Sequence, residues 1–114
     1  MKYQEVLPIS RAEAEQALNS NNSEVVCDAL LRLTYHDSDW RWIQNICLNF
    51  VKSKDTQIRR LAVICLGHLA RIHGTLDVEQ VIPVLENLLH DSNVAGNVKD
   101  ALDDIQMFAT NQQR

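Results

Sequence analysis

Aromatic residues make up only 5% of the chain, which also holds just three glycines and two prolines. A sandwich or barrel of this length needs many turns and many β-rich strands, and neither is supplied. A basic excess is missing too, since 11 Lys and Arg stand against 15 Asp and Glu, a net charge of −4 with the histidines neutral. A dedicated nucleic-acid binder usually carries the opposite balance. The longest apolar run, Leu61 to Leu69, is about half a membrane span and contains Gly67 and His68, so no membrane partner is expected. The start, Met1-Lys2-Tyr3-Gln4-Glu5-Val6-Leu7-Pro8, places charge and a proline where a signal peptide needs an unbroken apolar stretch. Cysteine is sparse and odd in number: Cys27, Cys47 and Cys65 each sit inside a helical pattern. They read as reduced thiols of a cytoplasmic protein, with neither a disulfide framework nor a Cys-x-x-Cys metal site.

What is present is an ordinary globular composition, 46% hydrophobic and 23% charged over 114 residues, which fits one domain spanning 1–114. Start and stop signals predict six helices and hence an all-α fold. Ser10-Arg11-Ala12-Glu13 is a capping box opening a helix to about Asn19. Ser23 precedes a helix over Glu24–His36, and Asp39 one from Trp40 to about Lys52. Asp55 caps Thr56–His73, which Gly74 ends. Leu76-Asp77 leads into a fifth helix to about His90, where Pro83 should kink or delay the helix. Asp91-Ser92-Asn93 begins the sixth, to about Ala109, before a polar tail Thr110–Arg114.

The second, fourth and sixth helices repeat one another. Val25, Ile58 and Val94 open an apolar stripe, Ala29, Ala62 and Val98 follow a turn later, and Leu33, Leu66 and Leu102 complete it. Ile58 follows Val25 by 33 residues and Val94 follows Ile58 by 36. A period of this size means stacked helical pairs, none able to bury its apolar face alone. The segment Asp55-Thr56-Gln57-Ile58-Arg59-Arg60-Leu61-Ala62-Val63-Ile64-Cys65-Leu66-Gly67 resembles the second helix of a HEAT repeat. Its acidic cap, β-branched residue, arginine, alanine and Leu-Gly carry the likeness. Val26 and Ala95 stand at the arginine position of the other units, and Thr34 and Asp103 at the glycine position. The resemblance covers about residues 10–109. It implies a short right-handed α-solenoid of three HEAT-like hairpins that binds protein through the second helix of each pair.

In that register Tyr35 matches His68 and Asp104, Leu31 matches Ile64 and Asp100, and Thr34 matches Gly67 and Asp103, with Arg71 one turn past His68. This polar column reads either as a solvated face or as a docking surface. No nucleophile motif accompanies it, so a catalytic His–Asp pair is disfavoured. A second cluster, Tyr35-His36-Asp37-Ser38-Asp39-Trp40-Arg41-Trp42, gathers both tryptophans at one turn. Trp40 and Trp42 lie about 200° apart on a helix, so one is expected inside and one near the surface. The exposed ring and nearby charges could anchor a partner, since Trp, Tyr and Arg dominate binding hot spots. No His, Cys and Asp set has metal-ligand spacing, so neither metal nor cofactor is expected. Gly96 costs its helix about 1 kcal/mol, which the close approach of a neighbouring helix or of a partner would explain, as would drift.

Charge is uneven: residues 1–40 carry −4, residues 41–73 carry +5 and residues 74–114 carry −5. Two acidic ends favour a basic partner over a polyanion. The segments Asp39-Trp40-Arg41-Trp42, Leu66 to Gly74 and Asp100-Ala101-Leu102-Asp103-Asp104-Ile105 are similar to those of small bacterial immunity proteins of polymorphic toxin and contact-dependent inhibition (CDI) systems. That resemblance implies a non-enzymatic inhibitor bound to a cognate toxin, a basic nuclease domain whose active or substrate-binding cleft it covers. On this reading Tyr35, Asp37, Asp39, Trp40, Trp42, His68, Arg71, Asp100, Asp103 and Asp104 form the partner surface, the carboxylates standing in for phosphates. A general scaffold or adaptor is the alternative. An enzyme accessory is disfavoured by the short chain, and nucleic-acid binding would rest on Lys52, Lys54, Arg59 and Arg60.

Overall fold

A computed structural model describes residues 5–109, which form six helices: α1 (Arg11–Leu18), α2 (Ser23–His36), α3 (Trp40–Phe50), α4 (Thr56–His73), α5 (Val78–Leu88) and α6 (Ala95–Phe108). The fold is all-α. Met1–Gln4 and the expected polar tail Thr110–Arg114 lie outside the described residues.

Local capping explains most boundaries. Ser10 and Glu13 form the reciprocal capping box of α1. Asp55 accepts from the backbone N–H of Gln57 and Ile58 at the start of α4, and Gly74 ends it with φ 69°, the left-handed conformation that suits glycine. Two starts differ from expectation. Asn22, not Ser23, caps α2, because the Ser23 hydroxyl turns away to donate to Asp55. The sixth α-helix begins at Ala95 rather than at Asp91, whose carboxylate is divided between the Asn93 N–H and Arg59. Nor does Pro83 delay α5. It sits inside the helix on the exposed side, where the carbonyl it leaves unbonded lies at exposed Glu79.

Helix α1 packs on α2, α3 on α4 and α5 on α6, while α2, α4 and α6 pack in succession. Three pairs are thus joined through their second helices, with α4 central. Along this spine Ala29, Leu33, Ala62, Leu66 and Val98 are fully buried, as the repeat register requires. Burying one such leucine contributes about 1.5–3 kcal/mol. At the edges the register slips. Val25 is 39% exposed while Val26 enters the core, and Ala101 and Ile105 are buried beside a half-buried Leu102.

The closest crossing is between α4 and α6. A Cβ on Gly67 would lie 3.2 Å from the Ala101 Cα and 3.1 Å from Asp104 Oδ2, so α6 would have to give by a few tenths of an ångström to admit a side chain there. Gly96 is unlike it: nothing lies within 4 Å of a Cβ placed there, which removes a neighbouring helix as its explanation. Fully buried Gln44 pins α3 to the start of α5. Its Nε2 donates to Asp77 Oδ2 at 3.0 Å, and its Oε1 accepts from the Asp77 N–H at 2.8 Å. Asp77, so engaged, makes no side-chain cap on α5.

Candidate functional site

The ten residues singled out from the sequence fall into two separate places. Asp37, Asp39, Trp40 and Trp42 lie at the turn between α2 and α3, where the charges are satisfied within the chain. Arg11 grips Asp37 with two parallel hydrogen bonds of 3.0 and 2.9 Å and lies 3.6 Å from Asp39. The Arg11 guanidinium also covers the Trp42 ring at 4.3 Å. Arg11 holds the Asp37 carboxyl below its ordinary pKa, helped by the Asp39 backbone N–H. Asp39 caps α3 by accepting from the Trp42 N–H. Arg41 stacks on Trp40 at 4.8 Å and pairs with Asp77 at 3.3 Å.

The division of the tryptophans into one buried and one exposed does not hold. Both are half-buried, because each ring lays one face on the core and the other under an arginine. Beside Trp40 and Arg41 opens a groove of about 490 Å³ that runs along Thr75–Gln80.

The second place is the surface shared by α2, α4 and α6. The Tyr35 and His68 rings meet in a T-shaped, edge-to-face contact, their centroids 5.5 Å apart and their planes at 73°. Arg71 donates to His68 Nδ1, which fixes a neutral ring with its proton on Nε2. Burial, followed by the Arg71 charge, keeps the His68 pKa below its usual value, although Asp104 pulls the other way. Arg71 Nε lies 3.9 Å from Asp104 Oδ2, a loose ion pair exposed on both sides. Tyr35, His68, Arg71 and Asp104 therefore make one connected row across three helices.

Next to this row, Ile64, His68, Arg71, Asn97, Asp100, Ala101 and Asp104 enclose a groove of about 300 Å³ between α4 and α6. Asp100 is exposed on its wall and has no ion-pair or hydrogen-bond partner among the described residues. Asp103 does not line it. Its register equivalents Thr34 and Gly67 are buried, and Gly67 faces α6. By the same register Asp103 faces away from α4, and it is exposed.

The alternation of charge along the chain also acquires a structural meaning. Arg41 of the basic middle reaches Asp77, Arg59 reaches Asp91 at 3.0 Å, and Arg71 reaches Asp104. Each joins one helical pair to the next. Three of the seven acids in residues 74–114 are thereby paired, and Glu79, Glu86, Asp100 and Asp103 keep their charge uncompensated by an ion pair among the described residues. Of the residues considered for nucleic acid, Arg59 is turned inward and Arg60 donates to the Asn93 carbonyl.

Sequence reasoning placed Ile64 in the column beside Asp100 but missed Arg11, Gln44 and Asn97. Gln44 carried a legible signal, a polar residue between Ile43 and Cys47 on the apolar stripe of α3. Among the described residues no cluster of His, Cys, Asp or Glu is arranged to hold a metal ion, and no helix is long and apolar enough to cross a membrane.

No family pattern and no curated protein matches the chain. Among solved structures, one chain in the crystal structure of a CDI complex from Cupriavidus taiwanensis LMG 19424 superposes with a TM-score of 0.87. It is 37% identical in sequence, over 97% of this chain and 98% of that one.

Proposed function

The chain belongs to the same family as that component of the Cupriavidus taiwanensis CDI complex, and from this premise we propose that it is an immunity protein binding and neutralising a cognate toxin. The observation that carries the reading is full-length similarity to a component of such a complex, together with a groove whose outward charge is unbalanced. We place the contact on the α2, α4 and α6 face. Tyr35, His68 and Arg71 form its centre and Asp100 and Asp104 its acidic side.

Three features support a non-catalytic mode of action. The Nδ1 lone pair of His68 is taken up by Arg71 and, among the described residues, no carboxylate hydrogen-bonds its ring, so it lacks the orienting partner of a catalytic histidine. The groove is open and shallow in residue types, offering no nucleophile beside a base. Its carboxylates suit the basic cleft of a nuclease, where they would take the positions of substrate phosphates. Covering such a cleft blocks substrate without any chemistry by the inhibitor.

At the α2–α3 turn, Asp37, Asp39, Trp40 and Trp42 support this face by fixing how α1, α2 and α3 meet. The test is co-expression with the toxin domain encoded beside the gene. Protection of the cells and co-purification of the two proteins are expected. Survival equal to that of cells carrying an empty vector, with no complex recovered, would overturn the proposal.

A further inference from the structure

We propose that the partner straddles Ile64, seating one apolar side chain in the groove between α2 and α4 and one cationic side chain in the groove between α4 and α6. The proposal rests on the reading of the chain as a toxin binder and adds the chemistry of the contact. The α2/α4 groove, about 180 Å³, is lined by Cys27, Gln57, Arg60, Leu61 and Ile64. Its lining is mostly apolar and holds no carboxylate, and the Arg60 guanidinium reaches away to the Asn93 carbonyl before α6. The α4/α6 groove shares Ile64 as a wall but bears Asp100 and Asp104.

Because packed helices lie about 8–10 Å apart, grooves on the two sides of α4 are separated by roughly that distance. Two side chains about a turn or two apart on a single partner segment span it. Charge sets the direction. The apolar groove offers a cation no carboxylate, whereas in the other groove Asp100 has no cation of its own among the described residues and Asp104 holds Arg71 only at 3.9 Å. The same carboxylates repel a phosphate backbone, so the occupant is a protein segment carrying an apolar residue and a Lys or Arg.

Calorimetric titration of the full chain with the toxin domain encoded beside its gene, catalytically disabled, tests this. Asp100→Lys should weaken binding at least tenfold. Maleimide labelling of the folded protein reaches half-exposed Cys27 before the fully buried Cys47 and Cys65, and fills the apolar groove. The labelled protein should also bind at least tenfold more weakly than a Cys27→Ser variant treated alike. Glu86→Lys, on exposed α5 surface, should change affinity less than twofold. Melting curves of each protein confirm that it is folded. A wild-type chain that does not bind the toxin overturns the functional reading itself. Wild-type binding that survives either perturbation within twofold leaves that reading intact and overturns the two-groove contact.

Discussion

At the α2–α3 turn, Arg11 closes on Asp37 with two short hydrogen bonds and Arg41 reaches Asp77, so the charges answer one another. In the α4/α6 groove, Asp100 meets no cation among the described residues, and Arg71 stands 3.9 Å from Asp104. Both regions mix aromatic rings with acids and an arginine. The difference is that one has its counter-charges supplied from within the chain and the other awaits them. A satisfied cluster has little to gain from a partner, because contact must first break existing bonds. An unpaired one has only its hydration to give up, so a partner cation gains more there. On these grounds we propose the turn as a joint and the groove as the contact.

The comparison can be broken at the joint between α4 and α6. Gly67→Val would drive two methyl groups into Ala101 and Asp104, costing about 1–3 kcal/mol of stability and opening the groove. Chemical denaturation measures the loss, and a variant as stable as wild type would mean the two helices are not held at this distance. Gln44→Met keeps the volume but removes both bonds to Asp77, leaving its backbone N–H without a partner. A loss of about 1–2 kcal/mol is expected, with Asp77 partly relieved by solvent. Gly96→Ala should do the opposite and stabilise by about 0.5–1 kcal/mol, since the space is open and alanine is the better helix former. Its melting temperature should rise.

Smaller effects come from pH. The Asp37 carboxyl titrates lower in the folded chain than in the unfolded one, because Arg11 favours its charged form. The stability it contributes is present above the unfolded carboxylate pKa, about 3.9, and is lost as pH falls through the folded value. Asp37→Asn should flatten that part of an acid titration of melting temperature. His68 also has a lowered folded pKa, and for a histidine this means the unfolded chain takes up the proton first. Stability should decline as pH falls below about 6.5 towards the folded value, and His68→Gln should remove that slope. A slope unchanged by the substitution would place the titrating group elsewhere.

How much of this was legible in the sequence depends on where each partner residue comes from. The limits of α4 follow from Asp55 and Gly74, whose caps are local, and both were readable. The spine of α2, α4 and α6 was readable from one apolar stripe repeated at nearly constant spacing. So was the row of Tyr35, His68 and Asp104, which the same register brings together. What failed was long-range in origin. Asp91 turns its carboxylate to Arg59 and Ser23 its hydroxyl to Asp55, each 32 residues away, and local capping rules cannot see either. The role of Arg11 was invisible for the same reason, being set by Asp37 at a separation of 26. Asp103 shares the register of Thr34 and Gly67 but lies outside the groove, on exposed surface.

The most direct measurement compares Asp100→Lys with Asp37→Ala, recording affinity for the cognate toxin domain and melting temperature for each. Asp100→Lys should lose at least tenfold in affinity with its melting temperature unchanged. Asp37→Ala should melt lower yet bind within twofold of wild type while folded. The reverse pattern, with affinity lost at the turn and kept at the groove, would contradict the groove as the contact.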